Sequence, residues 1–351
     1  MPLAIPDVEF LSRLVAKQSG NVIAPRQAYL LEQRLTPVAE SIGLADVGAL
    51  LKELRRSNSA TLSTNVAEAV TVNETSFFRD VHPFDALRKT IIPEVVKKKQ
   101  SQRELRIWCA ACSSGQEPYS IAMMIREHFP ELSNWKFQIV ASDLSEDILA
   151  KSRSGTYTQL EVNRGLPARK LVRFFDRKGS AWQAKPELSN LISHQRLNLT
   201  TLWPLLGKFD IVFIRNVLIY FDQPTKTEIL TRIQNTLIPD GYLYHGLCRN
   251  DHRPGSAIPK GGNRCHGLLS TNSLTRKRST HSVLRTSLRW RTICSMPCSA
   301  CRSIQSRLNH SARPRRRSKS LATGTRNVTF RSVTNSHNAS PVPCSTRHRK
   351  T

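Results

Sequence analysis

Residues 107–123 read IWCAACSSGQEPYSIAM, and this stretch decides the fold. It opens in a short apolar run, RIWCAA, of the kind that is buried as a strand in a parallel sheet. The run breaks into a small-residue turn, CSSG, and continues into EPYSIAMMIREHF, which reads as a helix. Glu117 and Pro118 fall in its first turn, where a carboxylate meets the positive end of the helix dipole and proline forfeits no hydrogen bond. Strand, tight turn and helix build the ligand site of an α/β protein, because ligands bind at the carboxyl ends of parallel strands. The turn is not GxGxxG and lacks a P-loop lysine, which argues against dinucleotides and nucleoside triphosphates. A small-residue turn followed by a carboxylate suits a cationic or hydroxyl-rich ligand better than a polyphosphate.

Moving outward, FQIVAS (137–142) predicts a second buried strand with Asp143 directly at its end. A carboxylate there can accept from two vicinal ribose hydroxyls, and it can equally cap the helix SEDILAKSR. KFDIVFI (208–214) predicts another buried strand, with Arg215 and Asn216 at its ligand edge. RLNLT puts Asn198 and Leu199 at a strand end, and VLIYF places Tyr220 either in the core or facing the site. NETSFFRD (73–80) offers Asn73 and Thr75 as helix-capping residues with Arg79 a few residues on. Residues 168–195, with a DRKG turn, predict two or three short antiparallel strands inserted into the α/β domain. An amphipathic helix is expected over 225–241, ending in a Pro-Asp-Gly turn before the strand GYLYHG.

Residues 7–70 read as helices. Leu31, Leu35, Val38 and Ile42 recur at the spacing of one buried helical face, 46–55 begins with a capping aspartate, and 64–72 predicts a further helix. Arg26 and Arg34 are expected on the exposed side of the first strong helix.

The chain's 351 residues carry a net charge of +27, which by itself invites a nucleic-acid reading. The charge is concentrated, however: residues 247–351 hold 18 Arg, 4 Lys and one acid, leaving only +6 on everything before them. Cysteines divide the same way, with Cys109 and Cys112 in the central motif and six in the tail. MPLAIPDVEFLSRL lacks the basic start of a secretory leader and no apolar run is long enough to span a bilayer, so a cytoplasmic protein with reduced thiols is expected.

WCAACSSGQEPYSIAM, NETSFFRD, ASDLSEDILAKSRSGTY (141–157), EVNRGLP (161–167), RLNL (196–199) and FDIVFIRNVLIYFD (209–222) together resemble the CheR-type chemotaxis protein methyltransferases. The motifs come in that family's order, across roughly residues 8–246. Ala111 stands where the family often has Gly, and Gln116 where it often has Glu.

The resemblance implies a small N-terminal helical domain (1–72) and a Rossmann-like class I methyltransferase domain (73–246) carrying a small inserted antiparallel β-subdomain at about 168–195. The insert looks short, like that of members that need no receptor tethering peptide. The resemblance also implies S-adenosylmethionine as cofactor, S-adenosylhomocysteine as product, and transfer of methyl to glutamates of membrane chemoreceptors by a monomer without a metal. The cofactor would be held by Asn73, Thr75, Arg79, Glu117, Asp143, Asn198, Leu199, Arg215 and Asn216. Arg79 and Tyr220 would face the transfer centre, and Arg26 and Arg34 would meet the receptor.

After Gly246 the resemblance stops. The 105-residue tail has 28 Ser or Thr and no sustained period of a strand or helix, and it reads as translated out of frame, with the final sheet elements missing. The alternatives are a cofactor-binding protein that no longer catalyses, or a basic nucleic-acid arm. Cys294, Cys298 and Cys301 have the spacing of an iron–sulfur motif, but no barrel-like series follows them; RPRRRSKS (313–320) reads as an incidental charge run.

Overall fold

The computed structural model describes residues 3–23, 29–245, 267–272 and 289–292. The chain begins with helices α1 (Ile5–Ser19), α2 (Tyr29–Ser41), α3 (Val47–Ser57) and α4 (Ala60–Ala69), which close around a core of their own that includes Leu11, Val15, Leu35, Leu50 and Val66. Asp46 caps α3 by accepting from the Ala49 amide at 2.7 Å, as its sequence position predicts. In α2 the buried face is Leu31, Leu35 and Ala39 rather than one running through Val38 to Ile42, which is exposed. An even four-residue step keeps side chains on one stripe, and the small Ala39 lets α2 approach its neighbours there.

Two short helices, α5 (Val81–Ala86) and α6 (Ile92–Lys98), lead to the first strand, β1 (Glu104–Ala110). The elements α7 (Gln116–His128), β2 (Lys136–Asp143) and α8 (Glu146–Ser154) follow. After an inserted segment come β6 (Ile192–Arg196), β7 (Phe209–Ile214), α12 (Gln223–Thr236) and β8 (Leu237–His245). Strands β6, β2, β1, β7 and β8 run side by side in that order, all parallel. Along β1, Ile107 and Cys109 enter the core on one face and Trp108 and Ala110 the core on the other. A sheet covered on both faces explains why these strands are near-continuous apolar runs.

The inserted segment differs in extent from the sequence reading. Its antiparallel sheet pairs β3 (Thr156–Thr158) and β4 (Phe175–Lys178) with β5 (Ala181–Ala184), so it starts well before residue 168. Residues 168–174 are helix α10 (Ala168–Phe174), while β6 belongs to the main sheet. Helix α9 (Gln159–Asn163) is fixed by a capping box between Thr158 and Glu161.

The Pro-Asp-Gly sequence also behaves differently from the expected turn. It lies inside β8, where the register against β7 shifts and Asp240 takes a φ of +67°. Nor does the sheet stop at β8, as the sequence predicts. Strand β9 (Gly267–Asn272) pairs antiparallel with β8, and β10 (Arg289–Thr292) with β9, giving seven strands. Without β9 the outer edge of β8 would be a row of unpaired amides and carbonyls, and backbone pairing can satisfy such an edge without a strong side-chain pattern. Arg26 and the remainder of the tail, including its cysteine and arginine motifs, lie outside the described residues.

Candidate active site

The order of the central strands makes the site. From β1 the chain steps outward to β2 and β6, then crosses back to β7 on the other side of β1. Such a reversal opens a crevice at the carboxyl ends of the two diverging strands. The ladder register brings those ends level: Ala110 is opposite both Ser142 and Ile214, and Ile214 is opposite His245. The next residues in each strand, Ala111, Asp143 and Arg215, therefore emerge together at one rim.

A cleft of about 910 Å³, including its open mouth, lies there. Asn73, Thr75, Arg79, Glu117, Asp143, Asn198, Leu199, Arg215, Asn216 and Tyr220 all line it. These are all the cofactor and catalytic candidates that the sequence suggests. Arg34 is not among them and does not lie on an exposed face: its Nη1 donates to the Val70 and Thr71 carbonyls, both at 2.8 Å, closing the end of α4. Carbonyls just past a helix end need such donors, and Arg34 satisfies these two.

The turn after β1 is tightly wound, with positive φ at Ala111 (+59°), Ser113 (+51°) and Gly115 (+94°). A Cβ on Gly115 would collide with Ser152 Oγ, so only glycine starts α7 this close to α8. Asp143, only 6 % exposed, braces the turn from β2, accepting from the Ser113 amide and the Leu144 amide, both at 2.8 Å. Burial raises its carboxyl above the usual carboxylate range, against the pull of those amide donors. The Cys112 thiol, also in the cleft wall, is pushed well up by burial and then by the charges of Asp143 and Glu117. A neutral thiol of that kind is no nucleophile.

The segment carrying Asn73, Thr75 and Arg79 is laid against this turn. Ser113 Oγ donates to the Asn73 carbonyl at 3.0 Å, and the Phe78 amide donates to Ser120 Oγ at 2.9 Å. From behind, the Phe77 amide donates to the Arg164 carbonyl, and Arg164 pairs with Glu74. Gly165, at φ +89°, lies against the Phe77 carbonyl so closely that a Cβ would strike it. The EVNRGLP stretch is thus a buttress for the cleft segment.

Arg215 is buried. Its Nη1 donates to Glu117 Oε2 at 2.6 Å, and its Nη2 to the Arg79 carbonyl at 2.6 Å and Asp80 Oδ2 at 3.1 Å. Asn198 is committed differently from the expected base contact. Its Nδ2 donates to the Gln18 carbonyl at 2.7 Å, and its Oδ1 accepts from the Thr200 amide and hydroxyl. That clasp, with the Val22 amide donating to the Tyr220 carbonyl, brings Ser19 and Asn21 into the cleft wall. Sequence reasoning missed Ser19, Asn21 and Asp80. Asp80 closes the NETSFFRD motif and was legible there; nothing local marks Ser19 or Asn21.

Residues 73–250 match the model of the CheR methyltransferase SAM-binding domain. The chain belongs to the CheR methyltransferase family. It is 42% identical over 250 residues to chemotaxis protein methyltransferase 1 of Pseudomonas aeruginosa, covering 70% of this chain and 90% of that one. Chemotaxis protein methyltransferase Cher2 of Pseudomonas putida is 42% identical over 244 residues, 68% of this chain and 88% of that protein. The chemotaxis protein methyltransferase of Escherichia coli is 34% identical over 256 residues, 71% and 86% respectively. Membership makes this a methyltransferase whose cofactor is S-adenosylmethionine.

The site's chemistry fits that cofactor. A buried carboxylate follows β2, a second carboxylate begins α7, and apolar Leu199 lines the same cleft. Such a set offers acceptors for hydroxyls, negative charge for a cation and a surface for a base, and lacks the cluster of cations that a polyphosphate needs. No helix among the described residues is long and apolar enough to cross a membrane.

Proposed function

We infer that this chain transfers the methyl group of S-adenosylmethionine to glutamate side chains of membrane chemoreceptors, giving glutamate methyl esters. The observation carrying this is the convergence of the ten residues above on one strand-end cleft in a chain of this family. When bound, the cofactor supplies a methyl carbon made electrophilic by a positively charged sulfonium. Asp143 accepts from its vicinal hydroxyls, Leu199 covers its base, and Glu117 supplies negative charge at its other end. Arg79 holds the incoming carboxylate, and Tyr220 closes the wall beside it. A glutamate carboxylate is already ionised at neutral pH, so no general base is needed. What this chain contributes is alignment and exclusion of water, with Phe84, Val217 and Phe221 supplying apolar wall.

In this reading residues 1–72 face the receptor, 73–246 hold the cofactor, and the protein works in the cytoplasm. The tail beyond residue 250 lies outside the family match and represents an out-of-frame version of the family's last segment. Translating the gene's other frames over that span tests this: family-like sequence there supports it, and its absence removes it.

Function is tested by incubating full-length protein with methyl-tritiated S-adenosylmethionine and membranes containing chemoreceptors. Label on the receptor that mild alkali releases as methanol is the expected result. Alkali-stable label would overturn the glutamate assignment. Cofactor binding without transfer would instead support a binding protein that no longer catalyses.

A further inference from the structure

Asn198, the residue whose motif implies contact with the cofactor's base, has no acceptor left to offer one. Its Oδ1 already accepts from the Thr200 amide at 3.0 Å and the Thr200 hydroxyl at 2.8 Å, which fills both lone pairs of an amide oxygen. Its Nδ2 donates to the Gln18 carbonyl at 2.7 Å.

Those bonds deliver a different amide to the same wall. The chain leaving α1 is pinned at every second residue. Gln18 is held by Asn198, and the Val22 amide donates to the Tyr220 carbonyl at 2.8 Å. Between them Gly20 lies so close to the 198–200 loop that a Cβ would stand 2.5 Å from Thr200 Cγ2 and 3.2 Å from the Phe221 ring. Asn21 is therefore fixed on both sides, in the cleft wall that also carries Leu199 and Phe221. Three polar side chains of this clasp line the cleft: Ser19, Asn21 and Asn198. Ser19 Oγ donates to the Val15 carbonyl at 2.9 Å and accepts from the Asn21 amide at 3.4 Å. Asn21 alone of the three makes no side-chain hydrogen bond to another described residue.

Asn21 also borders a smaller pocket of about 460 Å³, including its mouth, on the far side of Tyr220. That pocket is walled mainly by Val22, Ile23, Leu30, Leu31 and Val70, and Nη1 of its one cation, Arg34, is held by backbone carbonyls. A primary amide turned that way meets apolar surface, whereas turned to the cleft it meets a ligand, and a polar group favours the side on which its hydrogen bonds are made.

We propose that Asn21 is the residue that reads the cofactor's base, its Oδ1 accepting from the exocyclic amine of adenine and its Nδ2 donating to the neighbouring ring nitrogen. This rests on the cofactor reading given under Proposed function, in which Leu199 covers the base. Adenine presents a donor beside an acceptor, and a carboxamide is the side chain that matches both at once. Asn198 then serves base recognition indirectly, by holding the turn that presents Asn21.

The test is calorimetric titration of the full-length chain with S-adenosylhomocysteine and with its desamino analogue, in which hydrogen replaces the exocyclic amine. Both ligands carry the same charge, so the comparison does not depend on the charged side chains Glu74, Arg79, Glu117, Asp143 and Arg215 that share the cleft. The unaltered chain is expected to bind the amine-bearing ligand about tenfold more tightly, as one neutral hydrogen bond allows. Asn21→Leu, of similar shape without the polar atoms, is expected to bind the two ligands nearly equally. Asn21→Asp keeps an acceptor for the amine and makes that bond charge-assisted, so its preference for the amine should exceed that of the unaltered chain. A preference that persists in Asn21→Leu would place the amine's partner elsewhere and overturn the proposal, as would an unaltered chain with no preference. Should Asn21→Leu fail to fold, Asn21→Asp decides by itself, because an unchanged preference there means that Asn21 does not meet the base. Unaltered protein that binds neither ligand overturns the cofactor reading, and the inference with it; binding of both with equal affinity sinks the inference alone.

Discussion

The cleft has two walls that hold their residues by different means. On the sheet side, Ala111, Asp143 and Arg215 are placed by ladder register, because β1, β2 and β7 end level with one another. On the helical side, Ser19 and Asn21 reach the cleft from the end of α1, held by the Asn198 and Tyr220 clasps. The helices have a core of their own and meet the site through such polar contacts. A register-placed residue moves only if the sheet moves, whereas a clasped one is released by breaking a bond or two. Mutations should therefore sort by wall.

The largest effect should come from the buttress on the sheet side. Gly165→Ala drives a Cβ into the Phe77 carbonyl at a left-handed backbone position, which should destabilise the protein by about 3 kcal/mol in urea denaturation. Gly179→Ala is the control: its φ is +60° but nothing lies near its Cβ, so about 1 kcal/mol is expected. Similar losses at both sites would mean that backbone strain alone acts and that EVNRGLP braces nothing.

Asp143→Ala comes next. It removes a buried acceptor and frees the amides of Ser113 and Leu144, so affinity for S-adenosylhomocysteine should fall on the order of 100-fold. Calorimetry that finds a loss of only a few-fold would show that Asp143 merely braces the backbone of the turn, α8 being capped by Ser145.

A smaller effect lies at the sheet's far edge. His194 Nε2 meets Ser152 Oγ at 2.8 Å, and burial, helped by the charge of Arg153, pushes the imidazole down to about 4. The unfolded chain, with its ordinary histidine near 6.5, therefore takes up the proton first. Stability is fully present above that value and falls as pH drops from about 6.5 toward 4, by about 1–2 kcal/mol once solvent screening is allowed for. Asp143, raised by burial, contributes in the opposite sense, its stabilisation being lost as pH rises through its folded value. Comparison with His194→Gln isolates the histidine, and an unchanged pH profile in that variant would remove it as the cause.

The same contrast explains what could be read in the sequence. A buried parallel strand announces itself as an apolar run, and the residue after it is at the ligand edge, so Asp143 and Arg215 were legible. Glu117 was legible from its place in the first helical turn. Ser19 and Asn21 were not, because only the meeting of α1 with the 198–200 loop brings them in, and no local pattern encodes that meeting. Arg34 misled for a related reason: periodicity put it off the buried stripe, but its long side chain reaches the Val70 and Thr71 carbonyls. The inserted strands were seen, but not that Thr156–Thr158 joins them, since a three-residue strand has no period to detect.

Asn198 is where the two walls meet, and it offers the finest test. Its place in the RLNL motif implies a direct contact with the cofactor, whereas its amide in this structure holds the Gln18 carbonyl and Thr200. Asn198→Ala should cost about 1 kcal/mol of stability and weaken cofactor binding a few-fold, as expected for lost neutral hydrogen bonds. Asn21→Ala should weaken binding by a similar factor without the stability loss. If Asn198 acts by holding α1 in place, the two changes share one effect, and the double variant should bind little worse than Asn198→Ala alone. If Asn198 meets the cofactor directly, the two losses should add, as they do for independent sites. Additivity would mean that Asn198 and Asn21 act on the cofactor independently, with Asn198 not holding α1 as part of the site. Non-additivity would make α1 part of it, and cofactor affinity would then report on whatever engages the helices.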